Sequence, residues 1–360
     1  AGNLEDAAVL AMNAGVQADL PDGEAYALLP ALVRAGRVAE AQVDAAVVQV
    51  LKLKFEAGLF ENPYLDAKRV RAGTNRAADI ALARRAAEKS VILLKNENAV
   101  PLKPGTGLKL AVIGPNAAVP LFGGYSGANA RSVGILEGVR KGAPKGVTVD
   151  YAEGVRITEP DTEGRYLSFS PTIAPSEEED AKRIAEALAL AKQSDVVLLV
   201  LGDVPAITRE TVHPTLPGDR STLELWGRQN QLVEALAATG KTIVTLLLNG
   251  RPLAIPRLAE VSHALFEGWY LGQEGGNAFA DILFGRANPG GKLPVSLPRS
   301  AGALPVYYNR HPTGDLNPYV EGPRTPLFPF GHGLSYTTFE ISAPRRRRRA
   351  SGGRPRRSVP

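Results

Sequence analysis

The chain of 360 residues carries 42 Lys and Arg against 37 Asp and Glu, is 44% hydrophobic and 22% charged, and contains no Cys. That balance is ordinary for one or two globular domains. It excludes disulfides and thiolate chemistry, and no apolar run reaches the length of about 18 residues that a spanning helix needs. The formal charge of +5 misleads, because residues 345–360 hold eight Arg and no acid, leaving 34 basic against 37 acidic residues elsewhere. A mildly acidic body gives no reason to expect a nucleic-acid or membrane surface.

Residues 5–14 read as an amphipathic helix end that Gly15 terminates. No Met, basic n-region or apolar h-region precedes it, so the expectation is a chain that starts inside a larger protein, and cellular location is not readable. Residues 16–20 look like a short strand before the turn Pro21-Asp22-Gly23, and 28–35 like a short helix. Val43, Val47, Val50, Leu51, Phe55 and Leu59 approximate a helical stripe over 39–57, with Gly58 closing it. Asn62-Pro63 then opens what reads as an extended linker through residue 72.

A different organisation begins at residue 77. An Ala-rich helix over 77–90 leads into VILLKNENAVPL and a Gly/Pro turn. Strands at 109–113, 147–151, 195–201, 242–248 and 263–269 then alternate with helices near 135–141, 177–192, 225–238, after Pro252, and 274–284. Apolar strands separated by helices predict an α/β fold, with a largely parallel sheet covered on both faces. In such sheets the ligand crevice lies beyond the C-terminal strand ends. Those ends are Gly114-Pro115-Asn116, Gly202-Asp203, Asn249-Gly250-Arg251 and Gly268-Trp269-Tyr270, where polar groups gather. Residues 285–340 are rich in Pro and Gly, with strand-like pieces at 293–297 and 306–308, and the Arg-rich stretch 344–360 is expected to be disordered.

Four segments carry a family resemblance: AEKSVILLKNENAVPL (87–102), the stretch from LGDVPAITRE to TIVTLLLNGRP (201–252), EGWYLGQEGGNAFADILFGRANPGGKLPVSLP (267–298) and PLFPFGHGLSYTTFE (326–340). Together, and in this order, they make residues 1–343 resemble glycoside hydrolase family 3, the β-glucosidase and β-xylosidase family. The resemblance implies the last piece of a (β/α)8-type barrel over 1–60, a linker over 61–76, and an α/β sandwich over 77–343. AGVQADLPDGEAY (14–26) is similar to the barrel's last strand region, with Gln17 where the family has Asp. The family's nucleophilic Asp lies upstream in a Ser-Asp-aromatic segment that residues 1–360 do not contain. Family members continue from YTTFE into a β-rich domain, where this chain has its Arg-rich tail.

Retaining glycosidases need a nucleophilic carboxylate and an acid/base carboxyl about 5–5.5 Å apart, the acid with a raised pKa. The resemblance puts the acid/base at Glu210, in the loop DVPAITRETVHPTLPGDR; on its residues alone Glu210 reads as a solvated loop glutamate. Asp203 reads as a loop organiser, Asp219 and Arg220 as an ion pair or helix entry, and Arg209 as a sugar-positioning or a surface residue. Thr211-Val212 stand where the family has Ala-Trp, which weakens any case for sugar stacking there. His213 has no ligand partner at metal spacing. Gly123-Gly124-Tyr125-Ser126-Gly127 lacks a phosphate-loop ending and reads as a turn whose glycines allow close backbone approach. Trp226 reads as core, Trp269 as either core or sugar-facing, and the Arg tail as a disordered end or a polyanion-binding segment.

The resemblance therefore implies hydrolysis, with retention, of terminal β-glucosidic or β-xylosidic bonds in oligosaccharides or aryl glycosides. It implies no cofactor, no metal, and no nucleic-acid or membrane partner. Without a nucleophile the chain is expected to be inactive alone. The alternative is a non-catalytic α/β module that binds carbohydrate or protein.

Overall fold

The computed structural model describes residues 2–103, 105, 107–127, 131–159, 172–208, 219–311, 318–340 and 342. It divides the chain into two compact units, Ala1–Arg76 and Ala77–Pro360.

The described part of the first unit is helical. Helix α1 (Leu4–Asn13) starts where the Asn3 side chain accepts the Asp6 N–H at 2.8 Å, and it ends at Gly15 with φ 79°. Helices α2 (Leu29–Arg34) and α3 (Glu40–Glu56) follow. Ala8, Met12, Leu32 and Val38 form the small buried core. Two expectations need correction here. Residues 16–20 form no strand, because local side-chain bonds hold that segment as a loop. Asp19 accepts the N–H groups of Ala25 (2.9 Å) and Tyr26 (3.1 Å), and the Tyr26 hydroxyl donates to the Val16 carbonyl at 2.6 Å. The segment read as an extended linker contains helix α4 (Ala67–Gly73), which Asp66 caps by accepting the Lys68 N–H at 2.8 Å.

In the second unit, α5 (Ala77–Ser90) leads into a six-stranded sheet of order β1-β6-β5-β4-β2-β3. Its strands are β1 (Ile92–Asn96), β2 (Lys109–Ile113), β3 (Thr148–Ala152), β4 (Val196–Gly202), β5 (Thr242–Leu248) and β6 (Ala264–Glu267). All pairings are parallel except that of β1 with β6 at one edge. The period of two sorts the strand side chains onto two faces. Leu110, Val112, Leu198, Val200, Val244 and Leu246 enter one buried cluster, with residues of α6 (Ile135–Gly142) and α10 (Gly275–Leu283). Ala111, Ile113, Val197, Leu199, Ile243 and Leu247 enter the other, with residues of α7 (Glu177–Gln193), α8 (Gln229–Ala237) and α9 (Pro256–Val261). Burial on both faces is why β4 and β5 read as unbroken apolar runs.

Residues 293–297 and 306–308 form no strands; the nearest feature is an isolated bridge between Leu297 and Phe328. Among the described residues no helix is long and apolar enough to cross a membrane.

Candidate functional site at the strand ends

After β3 the chain returns to the other side of β2 to form β4, so the strand order reverses between β2 and β4. A reversal of this kind opens a crevice beyond the C-terminal strand ends. Two glycines set its floor. Gly114 (φ 132°) and Gly202 (φ 139°) end β2 and β4 in a left-handed conformation, and a Cβ on either would lie 2.0 Å from a carbonyl oxygen of the next strand.

Buried polar side chains tie the strand ends together. Asn116 donates to the carbonyls of Asp203 and Leu248, each at 3.1 Å. Gln229, at the start of α8, accepts the Gly202 N–H at 3.0 Å and donates to the Gly202 carbonyl at 2.9 Å. The turn after β4 is therefore held from both sides before its loop departs.

Asp203 opens that loop, fully buried, and Arg220 closes it by donating Nη2 to both Asp203 oxygens at 2.9 and 3.1 Å. Arg251, on the turn after β5, lies 3.7 Å from Asp203 and pairs with Asp219. Burial pushes the Asp203 carboxyl up, and the two guanidiniums pull it back. The expectation that Asp203 organises the loop matches this arrangement. The Asp219–Arg220 side-chain pair does not form. Asp219 pairs with Arg251 and accepts only the backbone N–H of Arg220, at 2.8 Å, because the Arg220 guanidinium is committed to the buried carboxylate.

Glu267, the last residue of β6, is fully buried. It accepts the Trp269 N–H at 2.9 Å, and Asn249 donates to it at 3.3 Å. Burial pushes its carboxyl up to about 8, so it is largely protonated at neutral pH. Beyond it Trp269 adopts φ 53°, rare for a bulky side chain. Across that bend Trp269 packs on one face's core and Tyr270 on the other, with the Tyr270 ring against Gly250. Burial raises the Tyr270 phenol as well. Composition and spacing gave no signal for the Glu267–Asn249 pair. An acid ending the apolar strand ALFE was the available hint, since an unpaired charge there would be expensive.

The predicted acid/base Glu210, with Arg209, Thr211, Val212 and His213, lies outside the described residues. Trp226 is not core: it is 38% exposed, with the Arg220 guanidinium 5.8 Å from its ring centre. Its neighbours in sequence reach the α8 core, but the indole precedes the helix and stays outside. Around Tyr125 the chain does turn, the Ser126 N–H donating to the Gly123 carbonyl at 2.9 Å. Close approach is not what Gly123 and Gly127 provide. A Cβ on Gly127 would meet nothing within 4 Å, and one on Gly123 only a Tyr270 ring carbon at 4.0 Å. Among the described residues no three His, Asp or Glu gather as metal ligands.

Residues 91–336 match the glycosyl hydrolase family 3 C-terminal domain. The chain is 37% identical to a periplasmic beta-glucosidase of Salmonella typhimurium, over 95% of this chain and 46% of that protein. It is also 37% identical to a beta-xylosidase of Formosa agariphila, over 96% of this chain and 47% of the relative. Among solved structures, a β-glucosidase from Erythrobacter marinus superposes with a TM-score of 0.87 at 42% identity, covering 96% of this chain and 46% of that one. The beta-glucosidase from Listeria innocua in complex with glucose gives a TM-score of 0.76 at 32% identity, covering 94% and 45%. The chain thus spans about half the length of the curated relatives it matches.

Proposed function

The chain belongs to glycoside hydrolase family 3, and from that membership we propose that it supplies the acid/base side of a retaining β-glycosidase acting on terminal β-glucosidic or β-xylosidic bonds. Glu210 is the acid/base in this reading. It protonates the leaving oxygen in the first step and deprotonates water in the second.

The observation that carries the proposal is the clasp at the foot of the loop. Asp203 and Arg220 bracket Glu210 in sequence and join at the C-terminal end of β4 in a buried ion pair, Arg220 Nη2 donating to both carboxylate oxygens. Both ends of the loop are thereby fixed to the crevice at the strand-order reversal, where a reacting group is useful. The same clasp removes a competitor. Asp203 is sealed from solvent between two guanidiniums and cannot protonate a leaving group, and Asp219 is paired with Arg251, so the choice of Glu210 rests on the family resemblance.

The second carboxylate of the reaction has to stand about 5–5.5 Å from the first. No Ser-Asp-aromatic segment occurs in residues 1–360. We therefore place the nucleophile outside these residues and expect the 360-residue chain alone to release no nitrophenol from aryl β-glucosides or β-xylosides. Joined to an upstream segment that carries the nucleophile, it should hydrolyse them, and Glu210→Ala should slow turnover about 100-fold or more. Robust hydrolysis by the chain alone would put the nucleophile inside it, and an extended enzyme indifferent to Glu210→Ala would remove Glu210 from the mechanism.

A further inference from the structure

Glu267 ends β6 fully buried between two apolar partners, Ile92 of β1 and Leu247 of β5, yet its contacts run toward both roots of the loop after β4. We propose that Glu267 is a positioning residue, which holds the turns after β5 and β6 and through them fixes both roots of the loop that carries Glu210. It would thereby set the aim of the acid/base; the proposal rests on the glycosidase reading of that loop.

Two paths leave the carboxyl. One runs through the turn after β6, where Glu267 Oε1 accepts the Trp269 N–H at 2.9 Å and Trp269 stands at φ 53°. That bend carries Tyr270 to the other face of the sheet, where its phenol interacts with the Thr208 side chain. Thr208 is the last described residue before Glu210. The other path runs through the turn after β5. Glu267 Oε2 accepts Asn249 Nδ2 at 3.3 Å, and the same nitrogen donates to the Arg251 carbonyl at 2.7 Å. Arg251 in turn pairs with Asp219, at the far root, and lies 3.7 Å from Asp203, at the near one. A reacting group on a loop keeps its aim only if buried bonds behind the loop fix its ends. Glu267 is bonded to both turns that do so.

The arrangement suits a neutral acid. Two titratable groups face Glu267: the Asp203 carboxyl, itself paired with Arg220 and Arg251, and the Tyr270 phenol, which burial keeps protonated. Ionisation of Glu267, which burial delays to about pH 8, would place a second buried negative charge toward Asp203. A buried charge without a cation of its own is expensive. Above that pH the two turns must therefore rearrange, and the loop roots must move with them.

Trp226 and Trp269 are the chain's two tryptophans, which allows a test on the 360-residue chain itself. In the Trp269→Phe variant the remaining indole is Trp226, 5.8 Å from the Arg220 guanidinium, so its emission reports on the clasp. Between pH 7 and pH 9.5 that emission should step with a midpoint near 8, with circular dichroism unchanged, and adding Glu267→Gln should abolish the step. A flat titration, or a step that survives Glu267→Gln, would overturn the proposal. The second arm uses the enzyme joined to its nucleophile-bearing segment. Dinitrophenolate leaves without a proton, whereas a phenolate leaving group needs the general acid. Glu267→Ala should therefore lower kcat/KM for phenyl β-glucoside about tenfold or more and change that for dinitrophenyl β-glucoside less than about twofold. Glu267→Gln should restore most of the phenyl rate at pH 7. Equal slowing of both substrates, or no rescue by Glu267→Gln, would make Glu267 a structural residue and overturn the proposal as well. An extended enzyme inactive on both substrates before any substitution would instead sink the glycosidase reading, and the emission step, which needs no turnover, would still decide whether Glu267 holds the loop roots.

Discussion

Glu267 shows how one residue couples the crevice to solution conditions. Its carboxyl is raised to about 8 in the folded chain, whereas an exposed glutamate titrates near 4.3. Between these values the unfolded chain has lost the proton that the folded chain keeps, so stability falls as pH rises through the window. The gap represents several kcal/mol at most, since about 1.4 kcal/mol attaches to each pH unit. Glu267→Gln removes the titration while keeping shape and a carbonyl oxygen for the Trp269 N–H. The wild-type melting temperature should drop between pH 5 and pH 8.5, and that of the variant should drop less; parallel melting curves would show that Glu267 is not the titrating group. None of this was legible in the sequence, where Glu267 merely ends a strand. A raised pKa comes from partners and burial that only the closed sheet assembles. Trp226 was misread for the same reason, since its apolar neighbours belong to a helix it does not join. Asp203 was readable as an organiser because a carboxylate directly after a buried strand has few other uses.

At the scale of elements, two helices meet through glycine. A Cβ on Gly138 of α6 would lie 2.0 Å from the Gly276 carbonyl carbon of α10, and one on Gly276 would lie 2.0 Å from the Gly134 carbonyl oxygen. The contact is backbone against backbone, so no side chain can yield. Overpacking of a close-packed contact costs about 1–3 kcal/mol, and Gly276→Ala should fall at the upper end of that range. Gly290→Ala is the control, because a Cβ there meets nothing within 4 Å. Urea unfolding should separate the two, and equal midpoints would contradict direct helix contact. Most elements of this unit were readable in advance. The predicted bounds of α5 and β2 agree with the structure, and Ser176, directly before the predicted helix, caps α7 by accepting the Glu179 N–H at 3.1 Å. Their signals are local: alanine-rich periodicity, unbroken apolar runs, a capping serine. The failures came where the decisive bond was not local to the pattern. Residues 16–20 have the right composition for a strand, but Asp19 bonds forward to Ala25 and Tyr26 and curls the segment. In the segment read as a linker, Asp66 caps a helix that its charged residues did not advertise.

For the molecule as a whole, the two units are unequally equipped. The sheet of the second unit is buried on both faces by helices. Among the described residues of the first, four apolar side chains are buried, and α3 buries none of its own. Val47, Val48, Leu51, Leu53 and Phe55 on α3 are all exposed, as are Leu59 and Phe60 just beyond it, with Phe55 60% exposed and its ring tilted against that of Phe60 at 4.3 Å between centres. In the glycosidase reading, the remainder of a barrel covers this surface. Offered to water it is an apolar patch of the kind that drives association. Val43 alone of the predicted stripe packs onto the small core, so the stripe is split between an inner and an outer side. The 360-residue chain should therefore self-associate, with a light-scattering mass that rises with concentration. Phe55→Glu should shift it toward the monomer, because a charge among apolar side chains opposes their contact. The second unit should not be affected, so hydrogen-exchange protection of β4 and β5 should match the wild type. A monodisperse monomer at every concentration would mean that this apolar surface does not drive association. Loss of protection in β4 and β5 on Phe55→Glu would mean instead that the two units do not fold independently.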